Sequence, residues 1–119
     1  MRIDIQARGF SLTEAMLHAI EHRANDYRQA FPDLKPALSV RLFDLNGEPH
    51  GGVDKGCLVH ARLGAGRRTV VASDVDSDLH VAIQSAFAKV ERATRAAVER
   101  RQRLRRETLK TSGGMFVAR

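Results

Sequence analysis

The sequence predicts an α+β fold: a two-layer β-α-β-β-β-α sandwich in which a four-stranded mixed sheet carries two helices on one face. Three observations lead there. Four short segments alternate apolar and polar residues, the period of two that marks a strand with one buried face. Two longer segments repeat apolar residues at three- and four-residue spacing, the mark of an amphipathic helix. A sheet with one apolar face has to be covered, and two such helices supply the cover. The chain has 119 residues, 43% hydrophobic and 29% charged. Those are the proportions of a single globular domain able to bury a core without disulfide staples.

The first strand is expected over residues 2–8, where Ile3, Ile5 and Ala7 face one way and Arg2, Asp4, Gln6 and Arg8 the other. Ser11-Leu12-Thr13-Glu14 then reads as a capping box, with Ser11 accepting from the Glu14 amide while the Glu14 carboxylate reaches back. The helix it opens carries Leu12, Met16, Ile20, Ala24 and Tyr27 on one face and runs to about Ala30, with Pro32 and Pro36 at its exit. A second strand spans 38–45, with Leu38, Val40 and Leu42 opposite Ser39, Arg41 and Phe43. The run from Asn46 to Gly52 is turn chemistry throughout. A third strand follows at about 57–63, with Cys57, Val59, Ala61 and Leu63 inward. Gly64-Ala65-Gly66 turns it into a fourth at about 67–73. The right-handed crossover rule makes the first two strands parallel.

Asp74, Asp76, Ser77 and Asp78 place caps and negative charge where a second helix begins. Its apolar stripe is Leu79, Ile83, Ala86, Phe87, Val90 and Ala97. At about 100° per residue, Lys89, Arg92, Arg95, Arg100, Arg103 and Arg106 fall on the opposite side. Arg101 and Arg105 rotate onto the stripe itself. The helix is therefore expected to leave the body near residue 100. The domain is accordingly drawn as residues 1–106, and residues 107–119, with Gly113-Gly114 and no periodicity, are expected to form a flexible tail.

The excess charge is concentrated in that helix. Between residues 89 and 106 lie eight basic residues against Glu91 and Glu99, a local excess equal to the +6 of the whole chain. A basic stripe on one element is the footprint of a polyanion-binding protein. Arginine outnumbers lysine sixteen to four, and its planar fork suits phosphates and base edges better than an ammonium does. A merely solvated face mixes signs and prefers Lys–Glu pairs, which this stripe does not. A second basic patch is expected on the open sheet face: Arg2, Arg8, Arg41, Arg62 and Arg67 or Arg68, with Phe43 the lone aromatic there. It lacks the aromatic pairs of an RNA-recognition sheet and ranks below the helix.

Other chemistry is weak. His18-Ala19-Ile20-Glu21-His22 matches an inverted zinc-peptidase pattern, but its histidines point away from the core and no walled cleft with a third ligand is in prospect. Gly51-Gly52-Val53-Asp54-Lys55-Gly56 lacks the G-K-[ST] of a phosphate-binding loop and reads as a hairpin in which Lys55 at most touches a phosphate. The single cysteine, Cys57, is inward on its strand and excludes both an internal disulfide and a multi-cysteine zinc site. No set of nucleophile, base and orienting group emerges, so no enzymatic activity, cofactor, metal or small-molecule substrate is expected. The apolar runs are too short to span a membrane, Met1-Arg2-Ile3-Asp4 holds no signal-peptide core, and a cytoplasmic location is expected.

Several stretches carry a family resemblance. They are Ile3-Asp4-Ile5-Gln6-Ala7-Arg8-Gly9-Phe10 leading into Leu12-Thr13-Glu14-Ala15, then Val71-Ala72-Ser73 before Asp78-Leu79-His80-Val81-Ala82-Ile83, and Ala88-Lys89-Val90-Glu91-Arg92. In this order, over about residues 1–103, the chain resembles the short form of the ribosome hibernation-promoting factor and ribosome-associated inhibitor (protein Y) family. The resemblance implies the fold already derived, similar to double-stranded RNA-binding domains. It also implies binding in the small ribosomal subunit where mRNA and tRNA would lie. By position, Arg8, Arg23, Lys89 and Arg92 match family basic residues near rRNA. The chain departs from the family pattern at Leu17, Asp26 and His80, and in a longer, glycine-rich loop over 46–56. As a short form, it is expected to be without the additional C-terminal domain with which long forms pair ribosomes.

The expectation is thus a non-enzymatic, rRNA-binding inhibitor of translation in stressed or resting cells. Its contacts would be Arg8, Arg23, Lys89, Arg92, Arg95, Arg100 and Arg103, and its partner the small ribosomal subunit, with a homodimer compatible but not predicted. Two rivals are a general binder of structured RNA that reads A-form shape, and a protein-interaction module that docks an acidic partner on the basic helix.

Overall fold

A computed structural model describes residues 3–45, 55–64 and 68–118, those from 109 onward by backbone alone. The elements are β1 (Ile3–Arg8), α1 (Glu14–Ala30), a 3-10 turn (Pro32–Leu34), β2 (Ala37–Asp44), β3 (Lys55–Arg62), β4 (Thr69–Asp76) and α2 (Leu79–Ala118). The strands lie in the order β1-β2-β3-β4. β1 runs parallel to β2, with Ile5 opposite Val40, and the other pairs are antiparallel. This is the four-stranded mixed sheet with two helices that the sequence predicts.

Alternation places one face of each strand in the core. Leu38, Val40 and Leu42 of β2 and Cys57, Val59 and Ala61 of β3 are buried against Ile20, Ala24 and Tyr27 of α1 and Leu79, Ala82, Ile83, Ala86, Phe87 and Val90 of α2. The α2 stripe contains a residue absent from the expected list. Thr94 is fully buried and its Oγ1 lies 2.8 Å from the Tyr27 hydroxyl, so each buried oxygen satisfies the other.

Two local expectations change. Thr13, not Ser11, caps α1: Thr13 has extended backbone and its Oγ1 accepts from the Met16 amide at 3.1 Å. Residue three of the helix is then Met16, which has no carboxylate to reach back, so there is no capping box. Asp74 and Asp76 belong to β4 rather than to a cap, because the ladder with β3 carries on until Asp76 pairs with Lys55. Asp78 remains a helix-start acceptor, receiving the His80 amide at 2.9 Å. The turn run expected over 46–52, and the glycine-rich loop over 46–56 as far as residue 54, lie outside the described residues, as do Arg2 and Arg67.

α2 leaves the body where the arginines at 101 and 105 predict. Ala97 is the last buried residue among those described, and every residue from Glu99 to Thr108 is exposed. Of the tail expected over 107–119, only residues 107 and 108 have described side chains, and the helical backbone continues to Ala118.

Candidate nucleic-acid interface

The outer side of α2 presents a row of guanidinium groups. Arg92, Arg95, Arg100 and Arg103 are all exposed, and among the described residues no carboxylate pairs with any of them. Their side is dictated by the apolar stripe: once Phe87, Val90, Thr94 and Ala97 are buried, positions 92, 95, 100 and 103 must face water. Arg95 is further oriented by Phe31, whose ring centroid lies 5.6 Å from its guanidinium carbon.

Two other expected contact residues are held by the fold. Arg23 of α1 is mostly covered, with its Nη2 3.4 Å from Glu91 Oε1 and its guanidinium 5.9 Å from the Phe87 ring centroid. It thus clamps α1 to α2. Its Nε is buried without a hydrogen-bond partner among the described residues. Lys89 donates to the Ser73 carbonyl at 3.3 Å and sits 3.5 Å from Asp74 Oδ2. Asp74 is held below the usual carboxylate range, first by the Val75 amide donating to it at 2.8 Å and then by Lys89. Lys89 remains substantially exposed and keeps part of its donor capacity for a ligand.

Arg8 stands at the end of β1 on the opposite sheet face, beside Arg41, where both line an open groove with Gln6, Phe43 and Leu58. The structure therefore separates Arg8 from the α2 row by the thickness of the sheet. Arg101 and Arg105 lie over a shallow cleft floored by Phe31, Pro32, Leu34 and Val98. Arg68, Arg100 and Leu104 extend this cleft toward Leu63. Arg101 and Arg105 were left out of the expected contacts because helical spacing places them on the apolar side. The signal was the same angle, read together with the end of core packing at Ala97.

The remaining motifs acquire structural explanations. His22 pairs with Asp26 at 3.7 Å on an exposed surface, and among the described residues no three histidine, cysteine or carboxylate side chains come together as metal ligands. Lys55 is spoken for by Asp44, whose carboxylate it meets at 2.7 Å, rather than reaching for a phosphate. Cys57 is fully buried and its thiol is pushed up to about 12, so it stays protonated and unreactive at neutral pH. No described helix is long and apolar enough to cross a membrane.

Solved structures share this arrangement. The crystal structure of the Thermus thermophilus Protein Y N-terminal domain is 21% identical, with a TM-score of 0.64 over 78% of this chain and 94% of that one. A ribosomal subunit interface protein from Coxiella burnetii is 13% identical, with a TM-score of 0.65 over 78% of this chain and 92% of that one. At such identities the likeness is one of fold. No curated protein sequence matches the chain. The family model described as Sigma 54 modulation protein / S30EA ribosomal protein matches residues 3–102, and the chain belongs to that family.

Proposed function

We propose that this protein is a non-enzymatic rRNA-binding factor that occupies the small ribosomal subunit at the mRNA and tRNA sites and inhibits translation in resting or stressed cells. The observation that carries this reading is the exposed row Arg92, Arg95, Arg100 and Arg103, which has no carboxylate partner among the described residues. The family description names a ribosomal protein, and a structural neighbour is called a ribosomal subunit interface protein. Both support a ribosomal address.

In this reading the binding unit is residues 1–106, and the mechanism is occlusion. A compact wedge competes with tRNA and mRNA for space, and arginine–phosphate forks supply the affinity. Arg8 contacts RNA from the sheet side. Lys89 and Arg23 contribute through the N–H groups that Asp74, Ser73 and Glu91 leave unused. No metal or cofactor takes part, and the ribosomal partner implies a cytoplasmic location.

The test is in vitro translation with added protein, combined with co-sedimentation on purified small subunits. The wild type should inhibit and co-sediment. The Arg92→Glu/Arg95→Glu variant should lose most of both, because two attractions become two repulsions. Equal inhibition by the variant would remove the assigned surface. Equal affinity for any RNA duplex would replace the ribosomal address with general recognition of A-form shape.

A further inference from the structure

The sheet face turned away from the helices holds a groove that the α2 row does not use. Its side chains stand in cross-strand rows: Arg8, Phe43, Gly56 and Val75 in one, Gln6, Arg41, Leu58 and Ser73 in the next. Phe43 lies down on the sheet instead of standing up from it. A Cβ placed on Gly56 would meet the Phe43 ring at 2.1 Å, so only the bare glycine backbone admits the ring there. The ring also lines the groove, together with Arg8, Arg41 and Leu58.

The charge around this groove is one-sided. Arg8, Arg41 and Arg62 are exposed on this face of the described strands, and Asp4 is its one carboxylate. A flat aromatic surface sharing a groove with two arginines matches a planar base with a phosphate attached. An acidic peptide would use the arginines but gain little from a ring laid flat.

We propose that this groove binds one unpaired RNA nucleotide, its base stacked on Phe43 and its phosphate held by Arg8 and Arg41. Gln6 offers an amide donor and acceptor to the base edge. Stacking is tolerant of sequence because every base has a π-face, so the site selects unpaired RNA rather than a particular letter. The ligand class rests on the RNA-binding reading above, but the site does not depend on the ribosomal address. It gives the protein two RNA-facing surfaces on opposite layers, one for phosphate backbone and one for a splayed base.

The chain contains no tryptophan, so Phe43→Trp introduces a sole indole reporter at the groove. Titration of this variant with a single-stranded uridine octamer at low salt should quench its emission. Phe43→Leu, which still covers Gly56 but lacks a π-face, should weaken binding of the labelled octamer by about tenfold. Arg41→Gln should reduce the salt dependence of that binding by nearly one phosphate contact. Absence of quenching overturns the site, as does undiminished octamer binding by Phe43→Leu. Equal quenching by an acidic octapeptide also overturns it. Should Phe43→Leu fail to fold, the indole titration still decides. Small-subunit binding without quenching by either subunit or octamer removes the groove and leaves the ribosomal reading standing. Quenching by the octamer in a protein that ignores subunits does the reverse.

Discussion

Tyr27 is the single tyrosine in a chain without tryptophan, and its hydroxyl is buried against Thr94 at 2.8 Å. Burial raises its pKa above the ordinary value, the Thr94 bond lowers it by less, and the nearby Glu91 charge raises it again. A raised pKa in the folded state means that folding favours the neutral phenol. That contribution is complete below about pH 10 and is lost as pH rises through the folded-state value. Phenolate absorbance should therefore lag behind that of free tyrosine in an alkaline titration and appear together with loss of the helical circular dichroism signal. Absorbance rising at the ordinary pKa in the folded protein would contradict the burial. The same contact has an energetic test. Thr94→Val keeps the volume but leaves the tyrosine hydroxyl without its partner, at a cost of about 1–3 kcal/mol, readable as a lower denaturant midpoint with unchanged slope.

Among the elements, α2 changes character along its length. Up to Ala97 it is held by the sheet and by α1, through Phe87, Val90, Thr94 and the Arg23–Glu91 clamp. From Glu99 to Thr108 every residue is exposed, so helicity there rests mainly on propensity, which is marginal in water for short isolated helices. Hydrogen exchange should show protected amides through Ala97 and steep loss of protection between Glu99 and Thr108, with protection regained when RNA neutralises the arginines. Uniform protection across that boundary in the free protein would contradict the departure of α2 from the body. The departure point was legible because it depends on one angle: Arg101 and Arg105 fall where apolar residues are needed. The strands and the amphipathic faces were legible for the same reason, since periods of two and 3.6 are local. Strand ends were not. Asp74 and Asp76 have the chemistry of caps, yet the pairing of Lys55 with Asp76 extends β4, and a ladder partner far along the chain outweighs a local preference. Arg23 shows the same limit at the candidate interface. Its charge was plain from the sequence, but its engagement depends on Glu91, which only the packing of α1 on α2 brings within reach. Arg92, Arg95, Arg100 and Arg103 needed no such information, because the buried stripe alone sends them outward.

Among the described residues of the whole molecule, three carboxylates are engaged inside the fold while the arginine row of α2 pairs with none. Asp44, Asp74 and Glu91 are each held against a cation of the fold, namely Lys55, Lys89 and Arg23. The +6 net charge is thus expressed mainly on the outer side and projecting end of α2. Such an arrangement makes a quantitative demand on binding. If Arg92, Arg95, Arg100 and Arg103 each neutralise one phosphate, with Arg8 adding a fifth, the logarithm of affinity for small subunits should fall with the logarithm of salt at a slope near −4. Raising salt from 50 to 200 mM should then weaken binding by a few hundredfold. Arg103→Gln is the informative variant, because Arg103 is exposed beyond the body and has no packing role. It should lower the slope by about one and leave thermal stability unchanged. A slope near zero in the wild type, or a slope untouched by Arg103→Gln, would mean that the row is solvated in the complex and that affinity comes from elsewhere on the molecule.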